Sequence, residues 1–207
     1  VGSYASTAEL VALARVAARH GGFYISHIRD EADRTLEAVR EAIAIGEQAK
    51  LPVQITHIKL GTVGVWGKAP EVAALIEATR ARGMDVTADA YPYLAWHSNL
   101  KVLVPNRQWT DPASVKKALD DVGGGRNIQI TRLPKFPQYV GQRLDAIARA
   151  EGVGEVDLYI RIVVDEETAA ADTRLKKFLE KAVADNSTAS SRRVVRFQQQ
   201  TMPYGDV

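Results

Sequence analysis

Gly21-Gly22-Phe23-Tyr24-Ile25-Ser26-His27-Ile28-Arg29 and Leu51-Pro52-Val53-Gln54-Ile55-Thr56-His57-Ile58-Lys59 are two copies of one pattern. Each is a short run of β-forming residues that ends in a hydroxyl side chain, a histidine, an isoleucine and a cation. Each also follows an amphipathic helical stretch, and the histidines lie 30 positions apart, the length of one β/α unit. Parallel strands joined by a helix carry their last residues to the same edge of a sheet, so this spacing brings two imidazoles to one mouth.

A third segment extends the pattern. Asp85-Val86-Thr87-Ala88-Asp89 reads as a strand leading into Tyr91-Pro92-Tyr93, where proline excludes helix. The intervening helices carry their own punctuation. Ser6 and Glu9 form a capping box ahead of Leu10, Leu13, Ala14 and Ala17, and Gly21-Gly22 stops that helix. Asp30 is expected to cap the next helix, with Glu31 and Asp33 in its first turn and Leu36, Val39 and Ile43 as its buried stripe. Pro70 opens a third helix with Val72, Leu75, Ile76 and Thr79 on one face, and Asp111-Pro112 opens a fourth with Val115, Ala118, Leu119 and Val122. The fold class is therefore α/β with parallel strands, open or closed.

Further along, Asn127-Ile128-Gln129-Ile130 is expected as a fourth strand, and Leu144, Ile147 and Ala148 mark a helix. Residues 155–164 fit a helix or a strand equally. Leu175, Phe178, Leu179, Ala182 and Val183 suggest one more helix, and the Ser-, Arg- and Gln-rich stretch from Asn186 has the composition of a linker.

Composition narrows the classes of function. The 207 residues are 46% hydrophobic and 25% charged, an ordinary globular balance. A net charge of +2, from 27 basic and 25 acidic residues, gives no case for nucleic acid or an anionic membrane. No cysteine is present, so there is neither a disulfide nor a thiolate ligand, and a reducing, cytoplasmic setting is expected. No apolar run approaches the roughly 18 residues of a membrane span. The glycines at 61, 64 and 67 lack the Gly-Lys-Ser/Thr of a phosphate loop.

In parallel α/β folds the carboxyl ends of strands carry the chemistry, and His27, His57 and Asp89 all fall there. Neutral imidazole is a common zinc ligand, so the matched pair is a candidate half-shell; the alternative for each histidine is a hydrogen-bonded strand-end residue. Alternation along the strands puts Phe23, Ile25 and His27 on one face, and likewise Val53, Ile55 and His57. Arg29 and Lys59, two residues beyond the histidines, suit a substrate carboxylate, with a surface charge as the alternative. Tyr91 and Tyr93 can offer hydroxyls above the site, and Asp89 can support a ligand histidine or bind turn backbone.

These strings, with Asp30-Glu31 and Trp66-Gly67 between them, resemble in order and spacing the N-acyl-D-amino-acid deacylases, or D-aminoacylases, of the amidohydrolase superfamily. The likeness runs from about residue 4 to residue 165. It implies a zinc-dependent (β/α)8 barrel that cleaves the amide of an N-acyl-D-amino acid to a carboxylate and the free D-amino acid. By that resemblance His27 and His57 match zinc ligands, Lys59 a contact to the substrate carboxylate, and Tyr91 the tyrosine contact. The family's first-strand His-x-His, its cysteine and the Ser-Asp-Gly segment with its general-base aspartate are missing from these residues. Since a closed barrel typically takes about 250 residues, the chain is expected to be an internal piece. It would be a partial TIM-like barrel over residues 1–185 without the first strands and the last catalytic strand, followed over 186–207 by a linker or a further barrel segment. Weak zinc binding, little activity alone and self-association through exposed barrel edges are the corresponding expectations. A non-catalytic barrel-derived domain, or a cyclic amidohydrolase with another substrate, are the alternatives.

Overall fold

The computed structural model describes residues 4–166 together with Lys177. The helix expected near Leu175 and the linker-like stretch from Asn186 lie outside the described residues. Residues up to Asp165 make one compact unit. Within it, three short parallel strands, β1 (Tyr24–Ser26), β2 (Val53–Ile55) and β3 (Val86–Ala88), form a sheet in sequential order. They alternate with α1 (Thr7–Ala18), α2 (Thr35–Ala49) and α3 (Ala69–Ala81), the order that the repeated pattern predicts.

Local chemistry explains most boundaries. Ser6 accepts the Glu9 N–H at 3.2 Å at the start of α1. Lys50 ends α2 in the left-handed region, and Gly83, at φ +87°, follows α3. The inner stripe of α1 is Val11 and Ala14, whereas Leu13 is 63% exposed and does not join it. The start of α2 differs from expectation. Asp30 caps a separate turn, accepting the N–H groups of Ala32 (2.7 Å) and Arg34 (3.3 Å), and the helix begins only at Thr35. Residues 31–34 are therefore a loop at the mouth of the sheet.

The register shows which face of the sheet is packed. Tyr24, Val53 and Val86 are paired across the strands, as are Ser26, Ile55 and Ala88. Val53, Ile55 and Val86 are buried with Val39, Ala42 and Ile43 of α2 and Val72 of α3, so this face carries the helices. Ile25, Gln54 and Thr87 form the other row, on the open face, where Ile25 is 56% exposed beside Phe23 at 60%. The apolar residues of β1 and β2 consequently point opposite ways, out of phase by one position.

The chain from Leu100 builds its own core. α4 (Pro112–Asp121), with Asp111 accepting the Ser114 N–H at 2.8 Å, packs Val115, Ala118 and Leu119 against α5 (Leu144–Glu151) and α6 (155–166). The segment 155–164 is thus helical. The fourth strand does not form. A 3-10 turn occupies Gly125–Asn127, and only one antiparallel bridge, Gln129 with Arg143, follows. Gly123 and Gly124 hold positive φ there, and Ile130 is buried in the helical core rather than beside β3. Tyr159, fully buried, donates its hydroxyl to the Leu100 carbonyl, and burial pushes its phenol well above the usual range.

Candidate functional site

The two histidines meet. His27 and His57 have ring centroids 4.3 Å apart at 40°, and His27 Nδ1 faces His57 Nε2 within hydrogen-bonding reach. Simple alternation does not bring this about, because β1 and β2 are out of phase. Strand β2 stops at Ile55, and His57 takes a left-handed backbone with φ +39°, which swings its ring away from the phase of Val53 and Ile55.

Asp89 holds that turn in place. Its Oδ1 accepts the His57 N–H at 2.7 Å, and its backbone carbonyl accepts the Ile58 N–H at 2.8 Å. Its Oδ2 receives the Gln54 side-chain amide at 2.6 Å, and Gln54 Oε1 receives the Thr87 hydroxyl. A polar row thus crosses the open face of the sheet and ends at the histidine pair. Of the two readings open for Asp89, the backbone one is observed, and it acts on the ligand candidate itself.

Glu31 is a member of the site that sequence reading assigned to a helix terminus. Released by the late start of α2, it places Oε2 2.6 Å from Lys59 Nζ and Oε1 3.1 Å from His57 Nδ1. Lys59 Nζ also lies 2.9 Å from that same ring nitrogen. Glu31 Oε1 is buried and lacks a directed hydrogen bond, so its contact with the ring is electrostatic. The buried hydroxyl of Tyr91 likewise has no hydrogen-bond partner, and Tyr91 stacks near Tyr93 at 6.4 Å. A buried polar atom left unpaired is costly and uncommon outside functional sites. Here one such atom belongs to Glu31, which faces His57, and the charge of Glu31 also acts on Tyr91.

Arg29 takes a different part. It makes a forked ion pair with Glu41 of α2 at 2.7 and 2.8 Å and donates to the Ala5 carbonyl at 3.0 Å, tying the strand-end loop to α2 and to the residue just ahead of the α1 cap. His97 pairs with Thr131 at 3.0 Å.

Charge completes the description. Burial first, and then the neighbouring His57, hold the His27 imidazole below the ordinary histidine range; Lys59 adds to this, while Glu31 and Asp89 oppose it. A neutral ring is the form that binds metal. Burial, followed by Glu31, pushes the Tyr91 phenol up, so it stays a protonated donor at neutral pH. His27 Nδ1 and His57 Nε2 face each other, and imidazole nitrogens are donors of the kind that suit zinc. Among the described residues no group of three or more His, Asp or Glu that could hold a metal ion is present, so as ligands the pair would fill two positions of a tetrahedral shell. No helix among the described residues is long and apolar enough to cross a membrane.

No family model matches the sequence. Individual proteins do. The chain is 34% identical over 157 residues to a D-aminoacylase of Alcaligenes xylosoxydans xylosoxydans, and 36% identical over 155 residues to an N-acyl-D-glutamate deacylase of the same organism. These matches take in 74% and 75% of this chain, and the chain spans about 28% of the length of each relative. Among solved structures it resembles a D-aminoacylase described as defining a novel subset of amidohydrolases, with TM-score 0.57 and 31% identity over 76% of this chain and 29% of that one. It also resembles the N-acyl-D-glutamate deacylase of Bordetella bronchiseptica in complex with zinc and a phosphonate mimic of the tetrahedral intermediate, with TM-score 0.61 and 30% identity over 76% of this chain and 30% of that one. A parallel α/β unit with these neighbours is of the amidohydrolase class. Within that class its homologues are N-acyl-D-amino-acid deacylases, the family that its sequence resembles.

Proposed function

We propose that the protein carrying this segment hydrolyses the amide bond of N-acyl-D-amino acids to a carboxylate and a free D-amino acid, using zinc held in part by His27 and His57. The observation that carries this reading is the convergence of the two rings beyond adjacent parallel strands, in a chain 34–36% identical to two deacylases. The sheet is taken as a sector of a (β/α)8 barrel, with exposed Phe23 and Ile25 on the face that the barrel interior would cover.

Bound zinc supplies polarisation of the acyl carbonyl and a more acidic water. The residues of this chain have distinct tasks around it. His27 and His57 are the ligands. Lys59 and Tyr91 bind the substrate carboxylate: Lys59 can exchange one carboxylate, that of Glu31, for another, and the Tyr91 hydroxyl has a donor to spend. Arg29 is already committed to Glu41 and keeps the loop in place instead. Asp89 is occupied by His57 and Gln54, so the general base is assigned to an aspartate other than this one.

The test is the zinc content of the purified chain beside its His57→Ala variant, with release of D-amino acid from N-acyl-D- and N-acyl-L-substrates measured on a protein containing this segment. Loss of zinc on substitution and a preference for the D-series are expected. Unchanged zinc content overturns the ligand assignment, and hydrolysis of the L-series alone overturns the substrate.

A further inference from the structure

Resting on the ligand assignment above, we propose that Glu31 is a positioning residue that puts the proton of His57 on Nδ1 and so leaves the Nε2 lone pair facing His27. Two groups make opposite demands on His57 Nδ1. Lys59 Nζ, at 2.9 Å, is only a donor and asks for a lone pair there; Glu31 Oε1, at 3.1 Å, is only an acceptor and asks for an N–H. If Lys59 won, the ring proton would sit on Nε2, pointing at His27, and the nitrogen needed for metal would be blocked.

Glu31 settles the competition with its two oxygens. Oε2, 2.6 Å from Lys59 Nζ, gives the ammonium a charged acceptor better than a neutral ring nitrogen. Oε1, buried and without a directed hydrogen bond, leaves its negative charge 3.1 Å from Nδ1, which favours the proton on that nitrogen. A carboxylate on the outer nitrogen of a ligand histidine fixes tautomer and ring orientation in metal sites generally.

The backbone is built to hold Glu31 there. Asp30 caps the 31–34 turn through the N–H groups of Ala32 and Arg34, and Glu31 O accepts the Gly61 N–H at 2.7 Å. A Cβ at Gly61 would stand 2.7 Å from the same carbonyl oxygen, so only glycine permits that approach.

Long-range proton–nitrogen correlation on histidine-labelled chain at about pH 8, above the imidazole range, reads the tautomer without metal. His57 is expected as the Nδ1–H form in the native chain and as the Nε2–H form in Glu31→Ala and in Glu31→Gln, whose single neutral amide oxygen cannot hold the Lys59 ammonium and face the ring proton together. Zinc affinity, measured by competition with a chelator, is expected to fall about 10–100-fold in both variants. An identical tautomer in the native chain and Glu31→Ala overturns the proposal even if zinc binding weakens, and Glu31→Gln tests it if the alanine variant misfolds. A tautomer change in a chain that binds no zinc upholds the role of Glu31 and removes the ligand assignment on which the proposed function stands.

Discussion

The His57 backbone N–H donates to Asp89 Oδ1 at 2.7 Å while His57 holds φ +39°, so a residue on β3's exit fixes an otherwise unfavourable turn at the exit of β2. A left-handed residue with a Cβ costs about 1–2 kcal/mol, and strain of this kind is kept where a side chain must be aimed. Comparing His57→Gly with His57→Ala isolates that cost, because both remove the ring. The glycine variant is expected to be about 1 kcal/mol more stable in urea unfolding. Asp89→Ala, which unties the turn, is expected to lose about 1 kcal/mol and to weaken zinc binding. Equal stability of the two His57 variants would mean that the turn is unstrained.

The ion pair between Arg29 and Glu41 makes stability depend on acid. The Arg29 hydrogen bond, helped by that of Thr7, holds the Glu41 carboxyl below its usual range against the effect of burial. A depressed folded pKa contributes stability that is present above the unfolded carboxylate value and is lost as pH falls through the folded one. Both partners are partly exposed, so the pair is worth about 0.5–1 kcal/mol. The native chain should therefore lose about 2 °C more than Glu41→Gln in thermal midpoint on going from neutral pH to pH 3. Parallel melting profiles of the two chains across that range would remove the pair from the account of stability.

The alternation of helix and strand was legible because Ser6, Pro70, Gly83 and the runs around Ile25, Ile55 and Val86 are local signals that packing does not override. Which face each strand buries was not legible, because it depends on register. Phe23 and Ile25 look like core residues and yet lie on the open face, while the partners of Val53 come from α2. Asn127–Ile130 has strand composition, but its isoleucines found an apolar core among helices first. In the site, the histidine pair was visible from repetition. The part played by Glu31 was hidden, since Asp30 and Glu31 look alike as residues of a helix start, and only the extra turn before Thr35 separates a cap from a side chain reaching Lys59.

Gly46 sits inside α2, where alanine would ordinarily add about 1 kcal/mol of helix stability. At this position the added Cβ would overlap Val53 Cγ2 and the Met84 methyl, and would stand 3.1 Å from the Leu51 carbonyl oxygen. Val53, the first residue of β2, is fully buried and has little room to move. Gly46→Ala is therefore expected to destabilise the chain by about 1–3 kcal/mol, the usual range for overpacking. A rise in the urea midpoint would show that α2 and β2 are packed more loosely than their contacts indicate.

Tyr91 separates the needs of the fold from those of the site. Its buried hydroxyl has no hydrogen-bond partner, so deleting that oxygen removes a desolvated group and no protein contact. Tyr91→Phe is expected to leave stability unchanged or raise it by up to about 1 kcal/mol. If the hydroxyl serves the substrate carboxylate, the same change should raise KM for an N-acyl-D-amino acid about 10-fold with a smaller effect on kcat, as expected when binding common to ground and transition states is lost. A variant that unfolds more easily and keeps its KM would make Tyr91 a packing residue.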